Sequence, residues 1–323
     1  SRSRPPMAPT TASLRPLLLF IVSANALHGQ GVSSSRSAVT MLRGGASASA
    51  IDDKAAEARE RLSSWLAKPR AGGPGGASQD AEFEKALGLM KARGLSNVEK
   101  AVGLLRQVHQ RDDSVQVKLE LADALNTVMR IKTNANCLVL DGTLDTPANK
   151  RLWKALGNEA LPMATAAYKA LPGNTRALAV YADSFMFSCS AKGIVKQALS
   201  GTAKEYKRMA NELRKYPKWD GAVGNAFLGG FYNVAPWPVG NKKLAAQYLQ
   251  DGAAIAPTRR NLYYVGVNAY QTGDFARAVD YFGRATKAAC GSVTEEDFGA
   301  FLLQESRKGL KLAQAAVAAE ANQ

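Results

Sequence analysis

From about residue 80 to about residue 320, apolar side chains recur every third or fourth position, and the runs are cut by Gly, Pro and short polar clusters. That spacing lays one apolar stripe along a helix, so the chain is expected to be a series of amphipathic helices joined by tight turns. In pairs, helices are predicted over 80–93 and 96–111, 115–130 and 147–171, 175–188 and 193–216, 223–234 and 241–256, with two more across 261–285 and a terminal helix over 294–320. Ser96 with Glu99 has the spacing of a capping box, Asn241 is placed to cap its helix, and Thr294 with the acidic residues behind it is expected to open the last one. The pairs end at Pro172, Pro217, Pro257 and Cys290, at intervals that shorten along the chain. No segment shows the alternation of Val, Ile and Thr that a half-buried strand requires. The strand-like run Leu138-Val139-Leu140 is instead expected to anchor the loop 133–146 onto the helices. The predicted fold class is all-α, about five helix pairs and a capping helix, each pair burying its apolar face against its neighbours.

The segment 261–285 carries the sharpest local signal. Gly266, Ala278 and Ala285 fall where two helices approach closely, Phe282 fills the space between them, and Gly273-Asp274-Phe275 ends one helix and starts the next. Leu228-Gly229 followed by Tyr232 repeats part of that signature upstream. These residues resemble the tetratricopeptide repeat (TPR), a helix-turn-helix unit of about 34 residues. Leu262, Tyr270 and Cys290 depart from its consensus. The resemblance implies a right-handed α-solenoid whose first helices line a concave groove. Arg260, Tyr263, Val267, Tyr270 and Gln271 would then face a partner, Arg and Tyr being common anchors of recognition surfaces. Val267 and Gly230 stand where a carboxylate clamp for a chaperone tail would need polar residues, so tail binding is not expected.

The stretch 235–243, APWPVGNKK, is longer than an ordinary repeat turn. It is similar to the enlarged turn of a divergent TPR branch that includes the T component of TRAP transporters and the regulator-of-microtubule-dynamics proteins. Trp237 stands there between Pro236 and Pro238, close to Lys242 and Lys243 at a helix start. It is either a packing plug for the gap left by Gly229 and Gly230, the preferred reading, or an exposed anchor for a partner.

Charge changes the picture at two places. The 323 residues carry a net charge of +15, yet residues 1–50 contain five Arg and no acid. With Met7 as the expected start, Arg15, the short apolar run 17–22 and Ala24-Asn25-Ala26 read as a signal peptide, and the Ser-, Ala- and Arg-rich stretch behind it as a transit peptide. That combination resembles the bipartite presequence of proteins sent to a complex plastid; secretion, or retention in the endomembrane lumen, is the alternative. Three parts follow: a presequence over 1–50, an amphipathic helix and Gly-rich linker over 51–79, and the TPR-like domain over 80–323.

Further along, Lys192, Lys196, Lys204, Lys207, Arg208, Arg214, Lys215 and Lys218 are opposed only by Glu205 and Glu212. Lys204, Lys207, Arg208 and Lys215 recur at helical spacing, giving a positive face that would receive an acidic protein, an anionic membrane surface or nucleic acid, or else a merely solvated one.

Catalytic chemistry has little to stand on. His28 and His109 are the two histidines, and no phosphate loop, nucleophile elbow or paired-histidine metal motif occurs. Cys137, Cys189 and Cys290 lie far apart and read as small buried apolar residues. No catalytic residue, metal or cofactor is expected. The expected function is a scaffold or assembly factor that binds other proteins. A small-ligand-binding helical repeat is the first alternative; an RNA-binding repeat is disfavoured because one-base-per-repeat reading needs uniform units.

Overall fold

Helix start signals, one after another, are met by side chains. A computed structural model describes residues 76–193 and 201–322, all within one unit, Glu60–Gln323. The presequence, the 51–68 helix, the linker up to Gly75 and Lys196 lie outside the described residues. Among the described residues there are twelve helices: α1 Gly76–Ala92, α2 Leu95–Arg111, α3 Val115–Thr133, α4 Pro147–Ala170, α5 Thr175–Lys192, α6 Thr202–Arg214, α7 Val223–Val234, α8 Lys242–Ile255, α9 Arg259–Gln271, α10 Phe275–Ala285, the single turn α11 Val293–Glu296, and α12 Gly299–Ala321. No strand occurs among them, and Val139 and Gly142 form one isolated bridge.

Ser114, Thr146, Asn174, Asn241, Thr258 and Asp274 cap α3, α4, α5, α8, α9 and α10, each side-chain oxygen accepting a backbone N–H three residues on. Asn241 therefore acts as expected, its Oδ1 lying 2.9 Å from Leu244 N.

Three local expectations are corrected. Ser96 caps nothing: α2 begins at Leu95 behind Gly94, whose φ of 79° makes the turn, so Ser96 already lies in the first helical turn. Thr294 does not open a long helix. Ser292 caps α11 instead, accepting from Glu295 N at 3.1 Å, and the chain turns at Asp297-Phe298 before α12. Gly193, with φ 81°, ends α5 rather than starting the next helix.

Each helix packs mainly on the next one in sequence, with α3 also touching α5 and α12 covering both α9 and α10. The first core block holds Leu105, Leu121, Leu125, Met129, Trp153 and Phe187; the last holds Leu249, Tyr263, Phe282 and Leu302. Phe282 shows why small residues are needed. Its ring sits against Gly266 of α9 and Gly309 of α12, where an added Cβ would come within 2.6 and 2.7 Å of ring carbons. A filled core tolerates neither contact.

Two connections run between distant parts of the sequence. The loop 134–146 lies against α9, with Leu138 and Val139 buried and Gln271 Nε2 donating to Leu140 O at 2.7 Å, so this run anchors the loop as expected. The α11–α12 turn meets the first helices. Asp297, almost fully buried, accepts from Arg130 Nε at 3.1 Å and from Arg93.

Candidate functional site

A cavity of about 150 Å³ opens among α3, α5, α7 and α9, closed further by the start of α6 and the loop 134–146. The sequence of α7, VGNAFLGGFYNV, is apolar on more than one face, which a helix tolerates when both sides are covered. Leu228 and Gly229 turn to α8, where the Leu249 side chain occupies the space a Cβ on Gly229 would need. Phe227, Gly230, Phe231 and Val234 line the cavity, joined by Met186 of α5 and Tyr264 of α9. Tyr206 of α6 completes an aromatic wall, 5.5 Å from the Phe231 ring and 5.8 Å from the Phe227 ring between centroids.

The opposite end is charged. Arg130 of α3, 5% exposed, donates to Asp297, to Asp183 of α5 and, at 2.8 Å, to Thr127 Oγ1; Asp123 lies 3.7 Å away. Asp123 is shared with Arg176 at 2.8 Å, which grips Glu120 with both ends of its fork at 2.5 and 2.6 Å. Burial opposes ionisation of Asp123, but Arg176 and Arg130 outweigh it and hold the carboxyl below the usual range. From α9, Arg260 reaches Asp220 Oδ2 at 3.4 Å, Asp220 O at 2.5 Å and Gly221 O at 3.0 Å. Glu295, fully buried, accepts the Arg260 N–H at 2.7 Å and Gly291 N–H at 3.1 Å.

Two groups at this end keep spare capacity. Asp183 hydrogen-bonds through Oδ2 alone, so among the described residues Oδ1 has no partner. Burial and then the nearby Asp220 and Asp123 carboxylates push its carboxyl up to about 6, against the pull of Arg130 and Arg260. Tyr206 also lines the cavity, and its hydroxyl has no hydrogen-bonding partner among the described residues. Burial raises its pKa, and Cys189 and Asp183 raise it further. The arginines are spent: every guanidinium nitrogen of Arg130 and Arg260 already donates.

The residues singled out from sequence are dispersed. Of the five groove positions, Arg260 lines the cavity. Tyr263 and Val267 are fully buried in the core, the Tyr263 hydroxyl lacking a hydrogen-bond partner among the described residues. Tyr270 is half-buried, edge-on to Phe275 at 5.3 Å. Gln271 is tied down, its Oε1 accepting from Asn233 Nδ2 at 2.8 Å and Lys242 Nζ at 2.5 Å.

On the basic helix, Lys192 and Lys204 are exposed and Lys207 half-buried. Arg208 is held by Glu205 at 2.7 Å over the Tyr168 ring, and Lys215 by Glu212 at 2.8 Å, so part of that positive face is neutralised on its own helix. Trp237 is 89% exposed and plugs nothing; Leu249 fills the space beside Gly229, and Gly230 faces the cavity. Lys242 and Lys243 are both exposed, and partial desolvation lowers the Lys242 ammonium below its usual value. His109 Nδ1 lies 3.6 Å from Asp113. Cys137 and Cys189 are buried, Cys189 pushed up to about 11 by its burial, and Cys290 is half-buried.

Asp183 and Tyr206 escaped notice in the sequence, although a carboxylate in the apolar run Ala177–Phe187 was a usable signal. Among the described residues no group of three or more His, Cys, Asp or Glu side chains could hold a metal ion, and no helix is long and apolar enough to cross a membrane. No family model matches the chain, and no curated protein matches it.

Proposed function

We propose that this chain is a non-catalytic helical-repeat protein that binds a small, largely apolar ligand in the cavity among α3, α5, α7 and α9. The carrying observation is the cavity itself: an aromatic and aliphatic wall facing a few convergent polar groups, the usual make-up of a small-molecule site. A cavity near 150 Å³ is of the size that takes up benzene in a packed protein. The arrangement is read as a TPR-like right-handed solenoid of five helix pairs, α1–α2 to α9–α10, with α11 and α12 as the cap. Supporting that reading, α3, α5, α7 and α9, the first helices of four pairs, all contribute to the cavity wall.

Gly230 provides the test. A Cβ there meets nothing within 4 Å, so Gly230→Leu fills the cavity from a helix that gains from losing a glycine. Calorimetric titration with 2-phenylethanol is expected to show saturable binding to the wild type and none to Gly230→Leu. Absence of binding to the wild type, or equal binding to both, contradicts the proposal.

Protein docking is the second reading, favoured by the exposure of Trp237 beside Lys243. Capture of a stromal protein by the wild type but not by Trp237→Ala supports it. The plastid as destination rests on the acid-free leader, and fusing residues 1–50 to a fluorescent protein checks it.

A further inference from the structure

Charge in and around the cavity is unbalanced. The network described above, of which Arg130, Asp183, Asp220 and Arg260 line the cavity, sets six carboxylates (Glu120, Asp123, Asp183, Asp220, Glu295 and Asp297) against four guanidiniums (Arg93, Arg130, Arg176 and Arg260), Arg93 and Arg176 being partly exposed. Each of these carboxylates has a partner, but the network as a whole is short of positive charge, so a cation would stabilise it. It lies inside a protein whose net charge is strongly positive, so the surplus is local rather than a reflection of composition. The surplus also has an outlet, because among the described residues one Asp183 carboxylate oxygen has no partner, and Asp183 and Tyr206 both line the cavity. An anionic ligand finds no such welcome, since Arg130 and Arg260 have every guanidinium nitrogen engaged.

We propose that the ligand carries a protonated amine, seated on the Asp183 carboxylate and the Tyr206 hydroxyl oxygen, on a small apolar body that lies among Phe227, Phe231 and Met186. The inference rests on the cavity being the binding site, and it adds the chemical class. An ammonium donates to carboxylate and hydroxyl oxygens alike, and the faces of Tyr206, Phe227 and Phe231 attract the same charge. Phenethylamine stays protonated across the accessible pH range and matches 2-phenylethanol in size, so the pair isolates the charge. Phenylacetate supplies the opposite sign.

Titration of the three compounds into wild type, Asp183→Asn, Tyr206→Phe and Gly230→Leu tests the proposal. The amine is expected to bind wild type about tenfold or more tighter than the alcohol, and phenylacetate weakest. Asp183→Asn is expected to remove the preference, and Tyr206→Phe to reduce it. In the wild type, amine affinity is expected to rise about tenfold from pH 5 to pH 7 as Asp183, facing Arg130, Asp123, Asp220, Arg260 and Tyr206, ionises with its value near 6, while alcohol affinity stays flat.

Equal binding of amine and alcohol, both lost in Gly230→Leu, overturns the amine assignment and leaves the cavity standing. A preference that survives Asp183→Asn, tightest binding of phenylacetate, or a wild-type amine affinity flat with pH also overturns it. Failure of both neutral and charged compounds to bind overturns the cavity reading and the amine assignment with it.

Discussion

Two tryptophans show that surroundings, not residue type, fix a side chain's contribution. Trp153 is fully buried, and its Nε1 donates to Thr133 Oγ1 at 3.0 Å, whereas Trp237 is 89% exposed. Trp153→Ala is expected to cost about 3–5 kcal/mol, and Trp237→Ala less than about 0.5 kcal/mol, in chemical denaturation. A large loss at Trp237 would mean that the turn 235–240 packs more tightly than described. Asp183 gives the pH prediction. Its carboxyl is raised to about 6 in the folded chain, above the ordinary 3.8, so the folded state binds the extra proton between those values and stability falls as pH rises through them. The penalty, on the order of 3 kcal/mol, is absent below about pH 4 and complete above about pH 6. Asp183→Asn removes it, so the variant is expected to gain on the wild type from pH 4 to pH 8 in urea midpoints. A constant difference across that range would place the Asp183 titration elsewhere.

At the scale of elements, α7 and its neighbours make the clearest case. Gly229 and Gly230 are adjacent in sequence, yet one faces the Leu249 side chain and the other open space in the cavity wall. Gly229→Ala is therefore expected to destabilise by about 1–3 kcal/mol through overpacking, and Gly230→Ala to be neutral or to stabilise by up to about 1 kcal/mol. Thermal melts of the two variants decide it, and equal effects would mean that α7 is rotated from its described orientation. The helices themselves were legible in the sequence, because the period of apolar positions is a local property and the capping residues Asn241 and Asp274 sit where their turns require. The start of α2 was misread because Ser96 and Glu99 imitate a cap while Gly94 supplies the turn. Gly229 and Gly230 read alike in sequence for a related reason: which face of α7 meets α8 is set by packing, not by the local pattern.

For the molecule as a whole, the contacts that build the site join residues far apart in sequence. Arg130, Asp183 and Asp297 meet from α3, α5 and the turn before α12, and no local pattern announces such a meeting. Arg260, expected to face a partner in a groove, lines the cavity, and of the carboxylates opposite only Asp183, inside the apolar run Ala177–Phe187, carried a local signal. Asp297 ties the last helices to the first, so Asp297→Ala, which leaves Arg130 and Arg93 short of a buried partner, is expected to cost about 3–5 kcal/mol. Hydrogen exchange should then quicken in α1–α3 as well as α12; quickening in α12 alone would show that the contact does not couple the two ends.

A crystal structure of the protein grown with 2-phenylethanol decides whether the cavity among α3, α5, α7 and α9 receives a small apolar ligand. The ring is expected between Phe227, Phe231 and Met186. A cavity filled by water alone, with no ring density among those side chains, would contradict it.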